Sequence, residues 1–137
     1  MAAQNSGNSG NTVQNQHTTQ TLDDPLFILS SNHPEVKLVA HNFEGSIFGN
    51  WKHSMLIALS AKNKLSFIDG TNPNPPSTNP TSKTWQRCSD LVFSWILNAL
   101  SLEIADSVLY CDSAQSIWQE LQDRYAQTNG TRLYFVY

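Results

Sequence analysis

Residues 82–100 read SKTWQRCSDLVFSWILNAL, and their pattern decides the fold. Trp85, Cys88, Val92, Trp95 and Ala99 recur at intervals of three and four. That spacing gathers side chains on one face of an α-helix. Leu91, Ile96 and Leu100 widen the face beyond a single seam, and polar residues are few from 91 to 102. A helix this apolar has to be enclosed on most sides, so it is predicted to be the centre of the core. Arg87 and Asp90 mark its wet side.

Upstream, the same periodicity predicts a helix over residues 46–63. Ile47, Trp51, Met55 and Leu59 recur every fourth residue, with Phe48 and Leu56 beside them. Ser46 is the predicted N-cap and Asn50 a later alternative. Lys62 and Lys64 suit the negative end of the helix dipole. Leu65, Phe67 and Ile68 follow, Asp69-Gly70 turns the chain, and prolines stand at 73, 75, 76 and 80. Proline fixes φ and removes a donor, so residues 71–81 are predicted to be a non-helical linker. Nearer the N-terminus, Asp24-Pro25 favours a turn. Val36, Leu38 and Ala40 then alternate with Lys37, Val39 and His41, which suggests a short extended segment before Gly45. Residues 1–22 are mostly Gln, Asn, Ser, Thr and Gly and carry no Lys, Arg, Asp or Glu. Such a tail buries too little apolar surface to offset its ordering entropy and is expected to be disordered.

Downstream, Ser101 reads as the N-cap of a short helix over 102–109. Asp112 or Ser113 caps another over 113–128, with Ala114, Ile117, Trp118, Leu121 and Tyr125 as its stripe. Asn129-Gly130 is a helix stop. Residues 133–137 are all apolar or aromatic, and a domain rarely ends with such a run unpacked, so the chain is expected to be cut short. The predicted fold is all-α: a compact helical bundle with a polar tail and an extended segment before the first helix. Trp51, Met55, Leu59, Phe67, Trp85, Val92, Trp95, Ile104, Ile117, Trp118, Leu121 and Tyr125 are its core or assembly candidates.

Composition limits the chemistry. Eight Lys and Arg against eleven Asp and Glu give a net charge of −3, which disfavours a domain built to neutralise phosphates. No apolar run is long enough to span a membrane, and no secretion signal opens the chain. Cys88 and Cys111 do not make a disulfide framework, so an intracellular, cytoplasmic location is expected. His17, His33, His41 and His53 have no Cys or carboxylate at metal-ligand spacing, and no zinc-knuckle pattern occurs. The glycines of 45–49 lack the Lys-Ser/Thr of a phosphate loop, and no nucleophile elbow is present. The acids are scattered singly apart from Asp23-Asp24. These features lead to the expectation of no catalytic residue, no metal or cofactor site, no small-molecule substrate and no membrane contact. Binding or assembly remains.

Several segments, read in order, carry a family resemblance. They are Leu38-Val39; Gly45-Ser46-Ile47-Phe48 with Trp51; residues 58–64 (ALSAKNK); Phe67-Ile68-Asp69-Gly70 and the proline-rich break; then Trp85, residues 94–98 (SWILN) and Ile104-Ala105. Ala114, Ile117-Trp118, Leu121, Arg124-Tyr125, Asn129 and Arg132 close the series. The set resembles the Gag polyprotein of plant copia-type LTR retrotransposons. The resemblance divides the chain into a copia-like N-terminal region over 23–70 and the start of a Gag domain over 82–137. It implies a capsid-like helical protein without catalysis that self-associates into virus-like particles around element RNA. Ile47-Phe48 departs from the family's usual Asn-Tyr. The resemblance also implies that the later capsid helices, and often a zinc knuckle, lie beyond residue 137, leaving RNA binding weak or absent. Partners are then other Gag copies or, in an alternative reading, a host protein. In that alternative a helical adaptor derived from a Gag remnant uses residues 133–137 and the proline-rich loop.

Overall fold

The structure, a computed structural model, describes residues 24–29 and 32–126. Among the described residues four α-helices follow one another: α1 (Phe48–Ala61), α2 (Ser82–Asn98), α3 (Leu102–Val108) and α4 (Ala114–Leu121). A 3₁₀ turn over Leu65–Phe67 lies between α1 and α2, and a π-helical turn over Gln122–Ala126 continues α4. Among the described residues there is no strand. The 36–41 segment bends at residues 39–41 and leads to one parallel bridge, between Phe43 and Leu100.

The apolar periodicity of α2 is spent on enclosure. Cys88, Val92, Trp95 and Ile96 are 0% exposed, and Trp85 and Leu91 are buried beside them. Helix α4 packs on α2, α3 packs on α4, and the 3₁₀ turn touches both α1 and α2. One cluster joins Met55 and Leu59 of α1, Phe67 of the turn, α2, Ile104 and Val108 of α3, and Ile117, Trp118 and Leu121 of α4. Each large side chain taken fully out of water contributes about 1.5–3 kcal/mol.

The helix ends show which starts are local. Ser101 caps α3 by accepting from the Ile104 amide. Ser113 caps α4 in a reciprocal capping box with Ser116, so of the two predicted caps it is Ser113, not Asp112, that acts. Helix α1 departs from expectation. Ile47, not Ser46, holds the N-cap position, in a left-handed conformation (φ 57°, ψ 51°) with no side-chain cap, and Asn50 lies inside the helix. The cause is packing: Phe48 is 1% exposed with its ring against Phe43 and Trp51, and this contact fixes where the first turn begins.

The far end of α1 also closes earlier than predicted. Asn63 is left-handed (φ 58°), the Lys64 amide reaches the Leu59 carbonyl at 2.9 Å, and that of Asn63 reaches Ser60 at 3.0 Å. This is the Schellman arrangement. It turns Lys64 inward, so Lys64 does not serve the helix dipole. The residue is 1% exposed, and its ammonium donates to the Phe27 carbonyl at 2.8 Å. Lys62 instead places its ammonium 5.4 Å from the Trp95 ring centroid.

The proline-rich stretch is non-helical, as its prolines require, and is pinned at several points. The Trp85 indole donates to the Asn72 carbonyl at 2.9 Å. Asp69 Oδ1 accepts from the amide and hydroxyl of Thr71, and Asn79 Oδ1 does the same for Thr81. Between them Gly70 (φ 82°) turns the chain, and a Cβ there would lie 3.0 Å from the Gln115 amide nitrogen. The polar tail over 1–22, the Asn129-Gly130 stop and the apolar run over 133–137 lie outside the described residues.

Candidate assembly site

Five aromatic rings join the segment before α1 to α1, α4 and the π-helical turn. Phe43 lies 5.3 Å from Phe48, 5.5 Å from Trp51 and 4.8 Å from Tyr125, meeting Phe48 and Tyr125 edge-on. Trp51 stacks on Trp118 at 5.7 Å, and Phe48 on Tyr125 at 6.1 Å. Rings at these separations add to the energy of simple burial. The Trp51 indole also donates to the Ala99 carbonyl at 2.9 Å. A second pair, Phe67 and Trp85, sits 5.7 Å apart beneath the proline-rich loop.

The twelve side chains selected from sequence fall into place unevenly. Trp51, Trp118 and Tyr125 share the ring cluster. Met55, Leu59, Val92, Trp95, Ile104, Ile117 and Leu121 are buried in the core, as are Phe67 and Trp85. Tyr125 is half-buried. Phe43, at the centre of the rings, escapes sequence reasoning, since it lies outside any helical stripe. The buried role of Lys64 escapes it as well. Its signal is indirect: a lysine just past an asparagine that can adopt the left-handed conformation at a helix end.

The apolar surface lies elsewhere. Leu102, Ala105 and Leu109 line one side of α3 and its end, and Leu102 and Leu109 are 78% and 57% exposed. Tyr110 follows, 69% exposed. The opposite side, Ile104 and Val108, faces the core. Arg124 braces this region: its Nε meets Glu120 Oε2 at 2.7 Å, and its other nitrogens donate to the Ser107 hydroxyl and carbonyl. The arginine hydrogen bond holds the Glu120 carboxyl below its ordinary range.

No group of three or more His, Cys, Asp or Glu among the described residues could hold a metal. His33 and His41 stand eight residues apart on the segment before α1, His53 lies in α1, and all three are exposed. A surface pocket of about 300 Å³ lies between the bend and α1, lined by Val39, Phe43, Ser46, Ile47, Asn50 and Trp51 among others. No described helix is long and apolar enough to cross a membrane.

The fold and this surface define a helical scaffold packed around stacked aromatic rings. Residues 55–137, more than half of the chain, match the family model described as gag-polypeptide of LTR copia-type, and residues 30–76 match a second copia-type Gag-polypeptide model. The chain belongs to the Gag-polypeptide family of LTR copia-type retrotransposons. It is similar to the Retrovirus-related Pol polyprotein from transposon RE2 of Arabidopsis thaliana, 29% identical over 98 residues covering 63% of this chain. It is also similar to that from transposon RE1 of the same plant, 27% identical over 85 residues and 56% of this chain. The matched stretches span 7% and 6% of those polyproteins. No solved structure matches the chain.

Proposed function

We propose that the chain is a non-catalytic structural Gag protein whose helices associate with further copies of itself inside the cell. One observation carries this reading within the family: the face of Leu102, Leu109 and Tyr110, which the fold leaves in water, with the half-buried Ala105 between them. Apolar side chains grouped in this way mark protein contact surfaces, and a second copy offers the same row, so the contact can close on itself as a two-fold pair. RNA contact is weak in this reading, because the chain's net charge of −3 attracts no phosphate backbone.

Sedimentation velocity over a concentration series tests the proposal. Association that rises with concentration is expected. Leu102→Asp with Leu109→Asp should weaken it at least tenfold without loss of helical signal, since neither side chain is enclosed. A strict monomer at the highest concentrations would remove the reading.

A further inference from the structure

The segment before α1 is held in an unusual way. Residues 24–29 and 32–43 lie across the helices with few backbone partners of their own, and side chains of α2 and of the residues after α1 reach out to their carbonyls. Cys88 Sγ donates to the Leu26 carbonyl at 3.4 Å, Lys64 to Phe27 at 2.8 Å, and the Trp95 indole to His33 at 2.7 Å. The Asn98 amide donates to Pro34. Three of these four donors lie along α2 at positions 88, 95 and 98, which form a row on one face. Leu26, Ile28, Val36, Leu38 and Val39 add apolar packing against the core. The strap ends where Phe43 exchanges backbone hydrogen bonds with Ala99 and Ser101, both at 2.9 Å.

What joins this strap to α1 is short and strained. Residues 44–47 contain Gly45 at φ 111° and Ile47 at φ 57°. A β-branched residue in the left-handed region is costly. Nothing local compensates Ile47: it has no side-chain cap, and its side chain is 66% exposed. The strain is therefore the cost of folding the strap back onto its own helices.

From the strained hinge and the row of carbonyl-seeking donors, we propose that the strap exchanges between copies of this chain, each seating residues 24–29 and 32–43 in the groove of the other. A second copy suits the groove because its strap presents the same carbonyls and the same apolar side chains, so the hydrogen bonds and packing broken on opening are all remade. The hinge alone changes, and opening it frees Ile47 from its left-handed conformation in both copies. The exchange is reciprocal and closes as a two-fold pair. It rests on the reading that copies associate, and names an interface by which they do so apart from the α3 face.

Two full-length variants test it. One carries Leu26→Cys with Cys88→Ser and Cys111→Ser, so that its one thiol sits on the strap. The other carries Cys111→Ser alone, keeping the groove thiol of Cys88. Co-refolded and mildly oxidised, the two should give a disulfide-linked mixed dimer on a non-reducing gel. A single chain with Leu26→Cys, Cys111→Ser and native Cys88 serves as control, closing on itself when monomeric. In parallel, Ile47→Gly relieves the hinge and should lower the dimer fraction, with the association constant falling about tenfold for each hinge relieved. Association in sedimentation without the mixed disulfide, while the control closes, would overturn strap exchange and leave association standing. A strict monomer would overturn both. Should the control thiols fail to meet, the Ile47→Gly comparison decides: unchanged association overturns the exchange.

Discussion

Helices α1 and α4 begin under opposite rules. Helix α4 starts at Ser113, whose hydroxyl takes the Ser116 amide while Ser116 answers the Ser113 amide, so four consecutive residues specify the start. Helix α1 starts at an uncapped isoleucine in the left-handed region, although Ser46 stands one residue upstream. There the buried packing of Phe48 with Phe43 and Trp51 outweighs the missing cap. The difference teaches that α3 and α4 are written locally, whereas the strap and α1 take their shape from what they pack against.

The sharpest way to break this comparison is at the side chain joining both parts. Trp95 lies on α2, is 0% exposed, donates to the His33 carbonyl of the strap and carries the Lys62 ammonium of the α1 end over its ring. Trp95→Ala should cost about 3–5 kcal/mol in urea unfolding. Hydrogen exchange of the variant should quicken most in α1, where tertiary packing supplies the definition, and less in α4. A loss under about 1 kcal/mol would mean that the strap and α1 do not lean on α2.

The two serines sharpen the contrast at a smaller scale. Ser113→Ala removes a working cap and should cost about 1 kcal/mol. Ser46→Ala should change stability by less than about 0.5 kcal/mol, because that hydroxyl caps nothing in α1. Equal losses at both positions, read from paired denaturant melts, would show that α1 does use a local cap and that the comparison is misdrawn.

Legibility in the sequence follows the same divide. The core of α2, from Trp85 to Ile96, is readable because its 3–4 spacing has one physical use, enclosure. The starts of α3 and α4 are readable because a serine one residue before an apolar stripe is a self-contained signal. Ser46 offers the same signal and fails, since a cap worth about 1 kcal/mol yields to ring packing that involves Phe43 and Tyr125, the latter remote in sequence. The π-helical turn after Leu121 replaces a predicted straight continuation, and it puts Tyr125 against Phe43 and Phe48. No local pattern encodes that meeting of rings. The α3 face is half legible: the helix over 102–109 is readable and Leu102 and Leu109 are plainly apolar, but the sequence does not say which apolar side chains of that helix the others will cover.

Lys64 supplies the finest test, through pH. Burial lowers its pKa from 10.5, partly offset by Cys88 and Asp24 nearby. The folded chain therefore releases this proton at lower pH than the unfolded chain does. Between the lowered value and 10.5 the unfolded state holds more of the proton, so the contribution of Lys64 makes stability rise with pH across that window. Burial raises the Cys88 thiol above 9.0, and its contribution has the opposite sign, with stability falling as pH climbs from 9.0 toward the raised value. The net curve mixes the two, so the informative quantity is the difference between the native chain and Lys64→Met. Methionine keeps the packed volume and removes the charge, at the expense of the hydrogen bond to Phe27. The stability advantage of the methionine variant should be greatest at neutral pH, where the native lysine is charged against its burial, and should shrink as pH approaches 10.5. A difference that stays flat from about pH 7 to 10.5 would show that the ammonium reaches water, and that the strap is not closed over it.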